Sequence, residues 1–205
     1  MIAIIDYGIG NIRSLQNALD YIGVSSLLTR DSAEIASADG LILPGVGAFG
    51  EAMRRIDQYA LRTPLKLAVE SGKPLLGICL GYQILMRSSN EQGLHQGLGF
   101  LPLDVIRLPV NARLPHVGWS AVREPADHGK QCALMAGLNE EFFYFVHSYG
   151  VMAANIPLPH ATAAYGECEL LAVVESRNIH GTQFHPEKSG EAGMQLLRNF
   201  SGLCV

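Results

Sequence analysis

The sequence predicts a single-domain, three-layer α/β fold with a mixed, largely parallel sheet. Three observations point there. Apolar runs of strand length alternate with segments of helical period through the first half of the chain. The later part is richer in strand-like runs and carries no repeat, linker or low-complexity tract. The 205 residues, set against about 150 per domain, leave room for one core of good size.

The elements follow in order. Residues 1–6 (MIAIID) form a short apolar strand. Ile12, Leu15, Ala18, Leu19 and Ile22 recur at helical spacing, and Gly23 is the stop. Residues 24–29 read as a second strand. Asp31 with Glu34 three residues later predicts a capping box before a short helix. Residues 40–43 (GLIL) are a third strand, closed by Pro44; a glycine-rich loop and a helix from about Glu51 follow. Thr63 and Pro64 predict an N-cap with proline at the first helical position, and Gly72 ends that helix. Residues 75–79 are a fourth strand, and Leu80 to about Met86 a helix. Strands at 104–108, 117–122, 142–148, 170–174 and 179–184 are expected to complete the sheet, some of them antiparallel. A helix near 191–200 closes the chain.

Composition narrows the function classes. Hydrophobic residues make up 48% and charged residues 17%, a globular balance and not a disordered one. Net charge is −4, from 15 basic against 19 acidic residues with no long run of either sign, which argues against a nucleic-acid footprint. No apolar stretch reaches the ~18 residues of a membrane span. The N-terminus lacks a basic segment and Asp6 interrupts its apolar run, so no secretory signal is expected and the expected location is cytoplasmic. Cys79, Cys132, Cys168 and Cys204 are far apart, with no CxxC pair. Zinc and disulfide readings therefore have no support, and no metal or organic cofactor is expected.

Sites in open α/β sheets lie beyond the carboxyl ends of the strands, and four loops there stand out. Gly77-Ile78-Cys79-Leu80-Gly81 has the frame of a nucleophile elbow with cysteine in the serine position, the thiol sitting at a helix N-terminus; a packed cysteine between tight-fitting glycines is the plainer alternative. His185-Pro186-Glu187 follows an apolar strand and can supply a base and its orienting acceptor, or be a surface histidine beside a loop carboxylate. Pro44-Gly45-Val46-Gly47-Ala48-Phe49-Gly50 reads as an oxyanion hole, a phosphate cradle without the G-K-[ST] ending, or a tight turn; a cysteine acyl-transfer site favours the first. Tyr7-Gly8-Ile9-Gly10-Asn11 lacks the spacing of a dinucleotide fingerprint, since position 13 is arginine, and leaves Asn11 as an N-cap.

Taken together, these loops resemble class I (triad-type) glutamine amidotransferases. GICLGYQ looks like that class's nucleophile motif and FHPEKS like its His/Glu motif. DYGIGN, LPGVGAFG, LPHVGW and YFVHSY make the set similar to the glutaminase subunits of imidazole glycerol phosphate synthases, from Ile4 to the last helix. The resemblance implies a flavodoxin-like fold and one type 1 amidotransferase domain over residues 1–205. It implies Cys79 as nucleophile, His185 as general base and acid, and Glu187 as its orienting partner. Val46, Gly47 and Leu80 would serve the oxyanion. Gln83 and Glu91 would hold the polar groups of L-glutamine, with Glu91 on the α-ammonium, and the backbone of Ser148 and Tyr149 would meet the α-carboxylate. Trp119, Tyr144 and Lys188 would face a cyclase subunit, a (β/α)8 barrel, in a heterodimer. Tyr82 stands where the family often has methionine or histidine. His116 and His147 lack a metal-ligand arrangement and read as satisfied structural histidines. A glutaminase for another ammonia-using synthase, and a catalytically silent subunit of the same fold, are the alternatives.

Overall fold

The computed structural model describes residues 1–125 and 131–204. Its first half is a run of strand–helix units: β1 (Ile2–Ile5), α1 (Ile12–Tyr21), β2 (Ser26–Thr29), α2 (Ser32–Ser37), β3 (Gly40–Leu43), α3 (Phe49–Gln58), α4 (Arg62–Glu70), β4 (Leu75–Ile78) and α5 (Leu80–Ile84). The remainder is β5 (Met86–Ser89), β6 (His95–Gln96), β7 (Leu101–Arg107), β8 (His116–Ala121), β9 (Phe142–His147), β10 (Tyr149–Gly150), β11 (His160–Tyr165), β12 (Cys168–Ser176), β13 (Ile179–Thr182) and α6 (Gly190–Leu203).

The main sheet has seven strands in the order β11-β12-β13-β4-β3-β1-β2. The five from β13 to β2 run parallel; β12 pairs antiparallel with β13, and β11 antiparallel with β12. Strands β1, β3, β4 and β13 are buried at every residue, as strands covered on both faces must be. Their side chains alternate between two cores. Ala3, Ile5, Leu41, Leu43 and Leu75 pack against α2, α3, α4 and α5. Ile2, Ile4, Ile42, Leu76 and Ile78 pack against α1 and α6. This is the three-layer arrangement expected, with helices on the faces that right-handed crossovers require.

The strands between β4 and β11 differ from expectation. The segments expected at 104–108, 117–122 and 142–148 do not join the main sheet. β7 belongs to a four-stranded sheet ordered β10-β7-β5-β6, and β8 pairs only with β9 in a two-stranded ribbon. Their burial explains it: β9 alternates buried residues with partly or fully exposed ones, so it covers a core with one face and leaves the other to solvent. The elbow helix α5 stops at Ile84 because Met86 already starts β5. Strand β11 was not anticipated; its HATAAY sequence is rich in alanine, a weak strand former.

Helix starts also shift. Helix α4 begins at Arg62, with buried Leu61 at the N-cap, so Pro64 is the third helical residue. Its missing N–H is still one of the four that no intrahelical acceptor would take. Asp31 caps α2 by accepting from the N–H groups of Ala33 and Glu34 at 2.8 and 3.1 Å. The reciprocal half of the box is absent, because the Glu34 carboxylate accepts from the Thr29 hydroxyl instead. Asn11 does occupy the N-cap of α1 but makes no side-chain cap.

The tightest passage in the fold is α5 crossing the end of β3. A Cβ on Gly81 would lie 1.7 Å from the Leu43 carbonyl oxygen. Gly81→Ala is therefore expected to destabilise the chain by at least about 1–3 kcal/mol. Gly202→Ala, in α6 with nothing within 4 Å of the new atom, should be neutral or stabilising by up to about 1 kcal/mol. Urea unfolding of both variants measures the contrast; equal midpoints would show that α5 can move away from β3.

Candidate active site

Cys79 follows β4 directly and precedes α5, at φ 53° and ψ −108°. A non-glycine residue there is strained, and such strain persists only where the surroundings enforce it. The Cys79 N–H is held by the Thr182 carbonyl at 2.8 Å, and its carbonyl by the Gln83 N–H at 3.1 Å. On the other side of the turn, a Cβ on Gly77 would sit 2.8 Å from both Gly81 O and Tyr82 Cα. Both glycines of the elbow are thus steric requirements. The helix behind the thiol has five residues, so the dipole expected from the sequence is that of little more than one turn.

The neighbouring strand β13 delivers His185 to the same edge. Its Nδ1 donates to Glu187 Oε1 at 2.9 Å, and both side chains are buried. The backbone is fixed from two further sides: the His185 N–H reaches Tyr144 O at 3.0 Å, and Ser189 Oγ donates to His185 O at 2.6 Å. With Nδ1 committed to Glu187, Nε2 is the free nitrogen; it is buried and has no hydrogen-bond partner. Burial alone would lower the imidazole pKa, but the facing Cys79 sulfur and the Glu187 carboxylate outweigh it and raise it to about 10. The ring is therefore set to carry a proton and to hand it on from Nε2.

Cys79 and His185 line one cavity of about 390 Å³, together with Val46, Gly47, Leu80 and Gln83. Glu91, Ser148, Tyr149 and His147 complete the wall. The structure thus gathers all the expected nucleophile, base, oxyanion and substrate positions except Glu187, which stands behind the base. Two of the N–H groups expected to serve an oxyanion, those of Leu80 and Val46, do not point into the cavity. Leu80 N–H bonds the Gly45 carbonyl at 3.3 Å. The Gly45–Val46 peptide is trans, so the Val46 N–H points opposite to that carbonyl and away from Leu80. Gly47, at φ +95° with nothing near its Cβ position, has open space around it.

The other positions have duties that spacing did not reveal. Glu91 Oε2 accepts from the Phe49 N–H at 2.7 Å, capping α3 where Ala48 cannot. This remote cap explains why α3 starts two residues before the expected Glu51. The carboxylate keeps its second oxygen for the cavity. Ser148 O is bonded by Leu108 N–H, and Tyr149 O accepts from Gln83 Nε2 and His147 Nδ1, both at 2.8 Å. A carboxylate in the cavity can be met only by N–H or O–H groups, since carbonyls accept and cannot donate. Trp119, Tyr144 and Lys188 form one patch away from the cavity: Trp119 is 54% exposed, its ring edge-on to Tyr144 at 6.1 Å, with Lys188 Nζ 5.7 Å from the Tyr144 centroid.

One residue beside the thiol, Gln183, has no signal in the sequence, and the two histidines expected to be structural are buried and paired. Gln183, fully buried, places Nε2 3.9 Å from Cys79 Sγ. His116 and His147 bond each other at 3.2 Å, and burial lowers the pKa of both to about 4. Among the described residues no cluster of potential metal ligands occurs, and no helix is long and apolar enough to cross a membrane.

Comparison with known proteins agrees with this geometry. The family model "Glutamine amidotransferase class-I" matches residues 3–202. The imidazole glycerol phosphate synthase subunit HisH of Methanothermobacter thermautotrophicus is 49% identical over 201 residues, 98% of this chain and 97% of that protein. The protein of the same name from Bacillus cereus is 46% identical over 205 residues, 99% and 95% of the two chains. Among solved structures, a glutamine amidotransferase superposes with TM-score 0.78 at 20% identity, covering 100% of this chain and 99% of that one. PurLQS from Thermotoga maritima gives 0.73 at 19% identity, covering 98% and 97%. At these identities the structures support the fold alone.

The histidines give opposite pH signatures. For His116 and His147, the native pKa near 4 lies below the ordinary 6.5. The unfolded chain then binds protons that the native one refuses, and stability falls as pH drops from 6.5 to 4. For His185 the native value is raised, so its contribution is full below 6.5 and lost as pH rises through about 10. Denaturant titrations should show His116→Phe losing less stability than the wild type on acidification. The deficit of His185→Ala should shrink towards alkaline pH. Parallel curves for all three proteins would contradict both assignments.

Proposed function

The chain belongs to the class-I glutamine amidotransferase family, and we propose that it is the glutaminase subunit of an imidazole glycerol phosphate synthase in histidine biosynthesis. The observation that carries this reading is the buried Glu187–His185 pair opening onto Cys79 in one cavity. The relatives at 49% and 46% identity, matched over nearly their whole length, select this synthase over other users of ammonia.

The chemistry is acyl transfer through a thioester. The Cys79 sulfur attacks the side-chain carbonyl of L-glutamine, forming the S–C bond. The carbonyl electrons move to oxygen and return as the C–N bond breaks. His185 gives the Nε2 proton to the leaving nitrogen, and ammonia departs. Water then attacks the γ-glutamyl thioester, and His185 takes its proton. The S–C bond breaks and glutamate leaves. Glu187 fixes the ring by accepting from Nδ1 and stabilises the imidazolium. Each step is carried by side chains and water.

Glu91 suits the α-ammonium, with one carboxylate oxygen free of the α3 cap. Gln83 and the backbone of Ser148 and Tyr149 would border the rest of the amino acid. Ammonia is useful only if it reaches an acceptor before it is protonated in bulk water. The partner is a cyclase subunit, a (β/α)8 barrel in a heterodimer, which adds ammonia to yield imidazole glycerol phosphate and an aminoimidazole carboxamide ribotide. The exposed Trp119–Tyr144–Lys188 patch would meet it. The domain is taken to run over residues 1–205, and the enzyme to work in the cytoplasm.

Cys79→Ala should abolish glutamine-dependent synthesis by the reconstituted complex and spare synthesis from added ammonium salt. Loss of both activities with the complex still assembled would mean that Cys79 serves something other than amide cleavage.

The chain alone should be a poor glutaminase. Leu80 N–H is engaged by Gly45 O and the Val46 N–H faces away, so neither of these two donors is available; each one missing costs about 10²–10³ in rate. Rotation of the Gly45–Val46 peptide would release one donor and supply the other. The partner, and more so the partner with its nucleotide substrate, would favour that state. Glutamine hydrolysis should rise stepwise for the isolated chain, the complex and the liganded complex, mainly in kcat. Equal rates in all three would rule out this control.

A further inference from the structure

The buried polar groups around Cys79 form one continuous chain, and its donor and acceptor roles follow from one carbonyl. Tyr149 O can only accept. It takes a hydrogen bond from Gln83 Nε2 and another from His147 Nδ1, each at 2.8 Å. On one side this fixes the Gln83 amide, whose second N–H meets Gln183 Oε1 at 3.0 Å. The Gln183 amide is fixed in turn: its oxygen is spent on Gln83, and its NH2 faces Cys79 Sγ at 3.9 Å. On the other side, neutral His147 with its proton on Nδ1 must accept at Nε2. His116 Nδ1 therefore donates across the 3.2 Å contact. His116 Nε2 is left to accept from Ser120 Oγ at 3.0 Å. Burial keeps both rings neutral near pH 7, as this assignment requires.

We propose that Gln183 is a further catalytic residue: its amide N–H donates to the Cys79 sulfur, stabilising the negative thiolate before attack and again when the thioester breaks. Gln83 is the positioning residue that keeps the Gln183 amide from turning its oxygen to the sulfur. The reason is steric. Gln183 is fully buried at the end of β13, its backbone N–H bonded to Ala172 O at 2.9 Å, so the amide has no solvent to turn into. His116 is clamped between Phe145 and Tyr165, with centroid distances of 4.9 and 3.9 Å. It sits on β8, three residues from Trp119, so the chain of hydrogen bonds begins on the ribbon that bears the exposed patch and ends at the nucleophile.

The inference rests on Cys79 as the nucleophile of the proposed glutaminase. It is tested on the reconstituted complex with three variants, Gln183→Leu, Gln183→Glu and His116→Phe. The readouts are steady-state glutamine hydrolysis, the rate at which 6-diazo-5-oxo-L-norleucine labels Cys79, and synthesis from ammonium salt. In Gln183→Leu, labelling and kcat should fall together by ~10- to 100-fold, the worth of one hydrogen bond to a charged group. KM should stay within about twofold. Gln183→Glu keeps the shape, still accepts from Gln83 and sets a carboxylate against the sulfur; its loss should be at least as large. His116→Phe keeps the stacked ring and leaves the His147 Nδ1–Tyr149 O, Gln83 and Gln183 bonds in place, so kcat and labelling should stay near wild type. Synthesis from ammonium salt should be unchanged throughout. Wild-type labelling rates in both Gln183 variants would overturn the proposal. So would an effect confined to KM, or loss of ammonium-dependent synthesis through misassembly of both Gln183 variants, which would make the residue structural. If the wild type itself is not labelled at Cys79, the glutaminase reading fails and this inference falls with it, a result distinct from the others.

Discussion

Everything at the site depends on how closely α5 passes the end of β3. The Leu43 carbonyl occupies the space that a side chain at 81 would need. That approach drives Cys79 into its positive-φ conformation at the edge of the sheet. The same edge receives His185 from β13 and the glycine loop from β3, because the three strands are adjacent and parallel. Parallel neighbours end on the same side, so three loops distant in sequence converge without any long excursion.

Convergence alone does not make the site competent. The base is held rigidly, by Glu187 at its ring and by Tyr144 O and Ser189 at its backbone. The glycine loop is held at its stem, where the Tyr7 hydroxyl bonds Pro44 O at 2.5 Å, and at its exit, where Glu91 caps α3. Between these anchors lies the Val46 peptide, whose neighbour Gly47 is unconfined. The part of the loop left unpinned is thus one peptide group between fixed ends. Glu91 is also a cavity residue, so occupancy by an amino acid and the start of α3 share a carboxylate.

The parallel half of the fold was legible because β1, β3 and β4 are apolar throughout and Gly23 and Gly72 follow the ends of α1 and α4. Cys79, His185 and Glu187 were legible for a related reason: strained or stiffened turns need particular residues at particular spacing, as in GICLG and HPE. The middle strands were misassigned to the main sheet because a one-faced strand such as β9 looks alike whether it lies in the sheet or on top of it. Gln183 was not visible. Its partner Gln83 is 100 positions away, and a glutamine next to an apolar strand end leaves no periodic trace. The second duty of Glu91 was hidden likewise, since a cap supplied from 42 residues away has no local signature. His116 and His147 read as structural in the sequence; His147 is tied to the site by its bond to Tyr149 O and its place in the cavity wall, and His116 through His147.

The proposed chemistry requires a covalent bond to one sulfur. The complex should be acid-quenched during glutamine turnover with its nucleotide substrate present and then mapped by peptide mass spectrometry. A γ-glutamyl adduct is expected on the peptide containing Cys79, removed by hydroxylamine as a thioester must be. It should be absent from Cys132, Cys168 and Cys204. An adduct on one of those residues, or turnover at full rate with Cys79 shown to be blocked, would contradict the assignment from which the mechanism is built.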